Sequence, residues 1–141
     1  MKVKKYKTVC PYCKKDIYAT KSIGMNMGFD FGRGICCYCE NSIILEYKDN
    51  NETMTAKTVI ETIDFSQFTM PMAVVYKSPA DFPDKYVIRI LDTFPAQKES
   101  HYMSAVKSYE DCITELSAAG FLVKMPREKT DDSCILETWL R

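Results

Sequence analysis

The feature that most constrains this chain is a pair of Cys-x-x-Cys sequences near its N-terminus. The first sequence consists of Cys10 and Cys13 and the second of Cys36 and Cys39, and twenty-two residues lie between the two. A Cys-x-x-Cys turn directs two thiolates at one point and leaves backbone N–H groups facing the sulfurs. Two such turns on adjacent hairpins complete a tetrahedral cage of four sulfurs, which suits zinc. The spacing therefore predicts a zinc site with Cys10, Cys13, Cys36 and Cys39 as its ligands.

The residues around these cysteines resemble the zinc-ribbon family, whose members are also called rubredoxin-like four-cysteine domains. The matching stretches are Cys-Pro-Tyr-Cys at 10–13 and Cys-Cys-Tyr-Cys at 36–39, so the resemblance covers only the N-terminal third to two-fifths of the chain. It implies an antiparallel β ribbon that binds metal, and it implies no particular activity. Lys14 and Glu40 depart from the pattern, because the family often has glycine directly after the second cysteine of each pair. Cys37 offers a rival ligand beside Cys36.

The predicted metal has a structural role. A catalytic zinc keeps an open position for water, whereas four cysteines close the coordination sphere. A segment of this size buries too little apolar surface to fold by itself. Structural zinc supplies an apparent ~10–16 kcal/mol in small fingers, which matches the net stability of a typical domain. The cysteines therefore predict how this part of the chain folds and leave its function open.

The lack of a secretory signal and of a membrane-spanning apolar run predicts a cytoplasmic protein that does not contact membranes. The basic N-terminus is followed by no apolar segment of the kind that secretory signals contain, and no apolar run has the length of a membrane span. Thiols stay reduced in such a compartment, which favours metal ligation over disulfides.

Charge is unevenly distributed along a chain whose formal net charge is zero. Residues 1–45 contain eight Lys/Arg and three Asp/Glu, a formal +5, and residues 46–141 carry the balancing −5. A basic segment of this kind is typical of contact with nucleic acid or an acidic partner. The predicted contact residues are Lys4, Lys5, Lys14, Lys15, Lys21, Phe29 and Arg33.

Aromatic residues alternate with small and charged ones between the two cysteine pairs. Phe29, Phe31 and Arg33 occupy every second position in a stretch rich in glycine. Such a stretch can stack on bases and contact phosphates. Alternatively, the phenylalanines cover the small core of the ribbon, which is the interpretation we favour, with Arg33 and the lysines facing outward.

The remainder of the chain predicts a small α+β domain that follows the ribbon. Ser108 is a helix N-cap, Gly120 is placed to end the helix, and the residues between them have apolar positions at helical spacing. Strand-like segments on both sides give the order β-β-α-β-β. The predicted organisation is a zinc-ribbon module at 1–65, a linker or short strand at 66–84 and a small α+β domain at 85–141.

Candidate catalytic residues are few and form no known motif. His101 has no neighbouring acid or nucleophile in such a motif, and Cys112 and Cys134 fit buried positions. A carboxylate cluster at Asp131, Asp132 and Glu137 allows a metal-dependent enzyme, but a solvated hairpin turn explains the same residues. We therefore expect a protein that is not an enzyme.

Two functional hypotheses of different classes remain. In the first, this is a zinc-binding accessory protein that binds nucleic acid or a nucleic-acid-handling protein. In the second, it is a protein-interaction or inhibitor module that makes no direct nucleic-acid contact. Short chains of this layout look like accessory proteins of bacteria or their phages, so a phage inhibitor of a host machine is one form of the second hypothesis.

Overall fold

Antiparallel β-sheets make up most of the regular structure of this chain. The computed structural model describes residues 4–21, 31–48, 52–94, 96–129 and 131–141. These residues are mostly β-sheet with one α-helix, which makes the fold α+β or mainly β. They divide into two compact units, Met1–Val59 and Ile60–Arg141, called here the N-terminal and C-terminal units.

The described residues of the N-terminal unit form two antiparallel sheets. Strands β1 (Tyr6–Val9) and β2 (Asp16–Ala19) form a hairpin, and β3 (Phe31–Ile35), β4 (Ser42–Lys48) and β5 (Thr53–Lys57) form a sheet in the order β3-β4-β5. Alternate residues of β4 are buried, as expected for a sheet with one face on a core. The two sheets meet where the Ala56 backbone N–H donates to Thr8 Oγ1 at 3.1 Å. The buried side chains include Tyr6, Tyr12, Ile17, Ile43, Leu45, Tyr47 and Met54.

The C-terminal unit contains a five-stranded antiparallel sheet. Its strands are β6 (Pro71–Lys77), β7 (Tyr86–Asp92), β8 (Lys98–Val106), β9 (Val123–Pro126) and β10 (Ile135–Leu140), in the order β8-β7-β6-β10-β9. Short 3₁₀ helices at Ile60–Thr62 and Phe65–Gln67 precede the sheet. Strand β6 therefore lies at the centre of the sheet, although its residues fall in the stretch predicted as a linker or short strand.

The helix α1 (Tyr109–Ala118) has the ends that the sequence predicts. The Ser108 side chain accepts a hydrogen bond from the Asp111 backbone N–H at 3.2 Å, which confirms it as the N-cap. Gly120 has a φ of 88°, and the next N–H, of Phe121, donates to the Leu116 carbonyl at 2.9 Å. This is a Schellman motif, and it confirms Gly120 as the residue that ends the helix.

The described residues include no helix long and apolar enough to cross a membrane.

Candidate metal centre

The two Cys-x-x-Cys sequences fold into matching turns. In the first turn, the Cys10 carbonyl accepts the Lys14 N–H at 3.0 Å and the Cys10 N–H donates to the Lys15 carbonyl at 3.0 Å. In the second turn, Cys36 makes the same two bonds with Glu40 and Asn41, at 2.8 and 3.1 Å. Each turn is therefore closed at both ends by backbone bonds, which fixes the direction of its two thiols.

Lys14 and Glu40 adopt a backbone conformation that favours glycine. Their φ values are 63° and 61°, in the left-handed region. This conformation places Cβ close to the following carbonyl and costs roughly 1–2 kcal/mol in a residue other than glycine. Lys14 and Glu40, which depart from the zinc-ribbon pattern, therefore adopt the turn conformation that glycine favours, at a cost in backbone strain.

The four thiols converge on one point. The sulfurs of Cys10, Cys13, Cys36 and Cys39 all lie within 4.8 Å of one another. The Cys10–Cys39 and Cys13–Cys36 sulfur pairs are each 3.7 Å apart. Metal–sulfur bonds of about 2.3 Å in a tetrahedron require sulfur separations of about 3.8 Å. A disulfide needs about 2 Å, so the spacing fits a shared metal ion and excludes disulfide bonds within the cluster.

Two opposing effects act on the pKa values of the clustered thiols. Burial raises the pKa of the Cys10 thiol to about 12, although backbone N–H groups of its own turn oppose this. Burial acts in the same sense on Cys36, but the N–H groups of its turn and the neighbouring thiols lower its pKa to about 7. Burial also raises the pKa of Cys39. The N–H groups stabilise thiolates, which are the form that binds metal, and a cation would supply the remaining stabilisation.

Two neighbours of the cluster have different relations to it. Cys37 is exposed and lies outside the group of four converging thiols. Asn41, which sequence reasoning missed, is buried and its side-chain amide lies 3.6 Å from the Cys39 sulfur. Its position two residues after the last cysteine of the second turn is the signal that predicts such a contact.

The predicted basic contact residues differ in how they are held. Lys4 forms an ion pair with Glu52 at 2.7 Å, and the ammonium groups of Lys15 and Lys21 lie over tyrosine rings, 4.8 and 3.9 Å from the ring centres. Lys5, Lys14, Lys15 and Arg33 are exposed. Phe29 lies outside the described residues.

Strand β3 carries an exposed row of side chains that includes Arg33 and Phe31, and for Phe31 the sequence left both a surface role and a core role open. Phe31 is 64 % exposed and Ile35 is 70 % exposed, and the exposed Arg33 lies between them. The interpretation that Phe31 covers the ribbon core is therefore wrong. The inward positions of this strand are Gly32 and Gly34, so the strand contacts the core through its backbone instead.

The candidate catalytic residues of the C-terminal unit do not form a metal site in the described part of the chain. Asp131 accepts the Glu128 N–H at 2.9 Å and Asp132 accepts the Cys134 N–H at 3.0 Å, so both stabilise a turn. Glu137 is buried on β10, where its carboxylate accepts hydrogen bonds from the Tyr109 hydroxyl and the Trp139 indole. His101 is exposed on β8.

Comparisons of the chain with known protein families, with curated proteins and with solved structures found no match.

Proposed function

We propose that this is a zinc-binding protein that is not an enzyme, whose N-terminal unit binds nucleic acid. The observation that carries the zinc assignment is the 3.7 Å spacing of the sulfur pairs, which fits a tetrahedral ion. Thiolate ligands select soft or borderline metals such as zinc. Four thiolates leave no position for water, so the metal stabilises the fold and takes no part in a reaction. Such a site is stable where thiols stay reduced, which supports a cytoplasmic location.

The nucleic-acid assignment is supported by the charge of the N-terminal unit and by where its cations lie. The unit contains ten Lys/Arg against six Asp/Glu, a formal +4, and the C-terminal unit carries the opposite −4. Four thiolates with one Zn²⁺ contribute −2, which leaves the loaded unit near +2. Cations beside aromatic rings, such as Lys15 over Tyr38, are suited to contact both phosphates and bases. We therefore expect weak binding that depends strongly on salt.

Elemental analysis of the purified full chain tests the zinc assignment. We expect one zinc per chain, loss of zinc in Cys36→Ser and retention in Cys37→Ser, because Cys36 is buried in the cluster and Cys37 is exposed outside it. Freshly purified protein without zinc or iron would refute the metal site. Equal loss of metal in the two variants would refute the ligand set.

Titration of labelled nucleic acid at several salt concentrations tests the binding assignment. Four contacts to a single strand, from Lys5, Lys14, Lys15 and Arg33, give a log–log salt slope of about −3. Replacing the three lysines with Glu should abolish binding at low salt while zinc content is unchanged. A matched control replaces three exposed lysines of the C-terminal unit with Glu, namely Lys77, Lys98 and Lys124. This control makes the same change in net charge. No binding by the zinc-loaded protein at low salt would refute the assignment.

A protein-interaction module is the second candidate, and strand β9 favours it. β9 is the outermost strand of its sheet, and all four of its residues are exposed. Val123 and Met125 of β9 are 54 and 42 % exposed, and Leu122, directly before the strand, is 75 % exposed, which is unusual at the edge of a sheet in a protein that acts alone. Affinity purification from the native cell with nuclease treatment discriminates the two candidates. A partner that survives nuclease and is lost in Val123→Asp would favour the interaction module.

A further inference from the structure

We infer that the exposed face of β3 is the nucleic-acid contact surface and that its ligand is a single strand. In this arrangement bases stack on Phe31, and Arg33 contacts the phosphate backbone. The inference rests on the proposed function, and it adds the location of the surface and the class of nucleic acid.

The first observation is that β3 presents side chains to one side only. Phe31, Arg33 and Ile35 alternate with glycines, so every side chain of this strand lies on the outward face. A Cβ atom on Gly34 would lie 3.1 Å from Leu45 Cδ1, which shows how closely the backbone approaches the core. Phe31 and Ile35 therefore lie on the surface, although the backbone of the same strand packs closely against the core.

The second observation is the distribution of charge across this face. In the β3–β4 register Phe31 is paired with Glu46 and Arg33 with Ile44. Glu46 forms an ion pair with Lys57 at 3.1 Å, so the acid nearest Phe31 is already neutralised. Arg33 forms no ion pair with any residue that the structure describes. The face therefore combines an aromatic ring, two aliphatic side chains and an available guanidinium, which complements a ligand with flat bases and a negative backbone.

The chemistry of this face favours a single strand over a duplex. Aromatic side chains stack only on bases that are not already paired and stacked, and every base offers a face for such a contact. Duplex binding without groove contacts depends on many phosphate contacts, and the loaded unit has only a small positive charge. Stacking supplies the affinity that charge alone does not.

Fluorescence anisotropy with the zinc-loaded full chain tests this inference. The probes are labelled oligo(dT) and the same strand annealed to oligo(dA), both at low salt. We expect oligo(dT) to bind more tightly than the duplex. Phe31→Ala should weaken oligo(dT) binding at least about fivefold, and Phe31→Trp should retain it. The matched control is Tyr18→Ala, which removes an aromatic ring that is 67 % exposed on β2 and should leave binding unchanged.

The outcomes separate this inference from the proposed function. If the lysine-to-Glu variant loses binding but Phe31→Ala binds like the original chain, the protein binds nucleic acid and the β3 face is not the contact surface. Tighter binding of the duplex would overturn the single-strand assignment. If neither probe binds, the proposed function itself fails. Loss of a nuclease-resistant protein partner in Phe31→Ala would then assign the face to that partner.

Discussion

At the scale of single residues, positions beside the cysteines shape the turns that bring the four thiols together, as Lys14, Glu40 and Asn41 show. The convergence of the four cysteines could be predicted, because their spacing indicates two turns of the same kind. The sequence could not decide whether Phe31 lies on the surface or over the core, because alternation identifies the two faces of a strand and does not say which one is buried. On β3 the inward positions are the glycines Gly32 and Gly34, so the usual expectation that large apolar residues face the core is reversed.

Relief of backbone strain at Lys14 should stabilise the first turn. Lys14 has a φ of 63°, and glycine adopts this conformation without a Cβ clash. The gain is partly offset by the greater freedom of glycine in the unfolded chain, so we expect Lys14→Gly to stabilise the N-terminal unit by about 0.5–1 kcal/mol. Denaturant unfolding of the zinc-loaded chain measures this difference.

The adjacent residue provides the control for this prediction. Lys15 is also exposed but is not among the positive-φ residues. Lys15→Gly should therefore lower stability slightly, because it adds freedom to the unfolded chain and relieves no strain. Equal effects of the two substitutions would contradict the strain argument.

At the scale of elements, the ends of a helix could be predicted from local sequence signals, whereas the position of a strand within its sheet could not. The ends of α1 follow from Ser108 and Gly120, which act through bonds within a few residues. The central position of β6 could not be predicted, because the flanking prolines indicated a break. Pro71 is the first residue of this strand and Pro79 lies beyond its end, so neither removes a hydrogen bond from its interior.

Glu115 shows how an element is fixed in place by a buried polar contact. This residue of α1 is fully buried, and its two carboxylate oxygens accept from the Ile60 N–H at 3.0 Å and the Ser104 hydroxyl at 2.9 Å. The helical spacing from Cys112 places it on the buried face, yet a charged residue there is not expected from sequence. It joins the helix to β8 and to the 3₁₀ helix that begins at Ile60.

Removal of this carboxylate should destabilise the C-terminal unit. Glu115→Leu keeps a side chain of similar size but leaves the Ile60 N–H and the Ser104 hydroxyl without this acceptor. We expect a loss of about 2–4 kcal/mol in the free energy of unfolding, measured by urea denaturation. Glu110→Leu, at an exposed position of the same helix, should change stability by no more than about 0.5 kcal/mol. A Glu115→Leu variant as stable as the original chain would mean that both donors find other acceptors.

At the scale of the whole molecule, the structure forms two compact units that differ in charge and in the size of their cores. The N-terminal unit carries the sulfur cluster and a small core, whereas the C-terminal unit has a five-stranded sheet and a buried helix face. We expect a unit with so small a core to depend on the proposed metal for stability, because chain entropy would otherwise exceed what the core supplies. Chelation should therefore affect the two units differently.

A fragment of residues 60–141 should fold without zinc, and a chelator should unfold only the N-terminal unit of the full chain. A fragment of residues 71–141 should be less stable, because it lacks the Ile60 bond to Glu115 and the packing of Phe65 on Phe121, whose ring centres are 5.4 Å apart. Thermal unfolding followed by circular dichroism, with and without chelator, measures both effects. One transition for the whole chelated chain, together with an unfolded 60–141 fragment, would contradict this independence.

The one-sided arrangement of β3 has a consequence for how this protein can evolve. Since the inward positions of the strand are glycines, positions 31, 33 and 35 can change without creating cavities or overpacking the interior. Selection can then alter the proposed contact surface with little effect on whether the chain folds. We expect a library randomised at these three positions to yield mostly folded, metal-loaded proteins, and its members to differ in ligand preference. Gly34 should tolerate less variation than these three positions, because a Cβ atom there would lie 3.1 Å from Leu45 Cδ1.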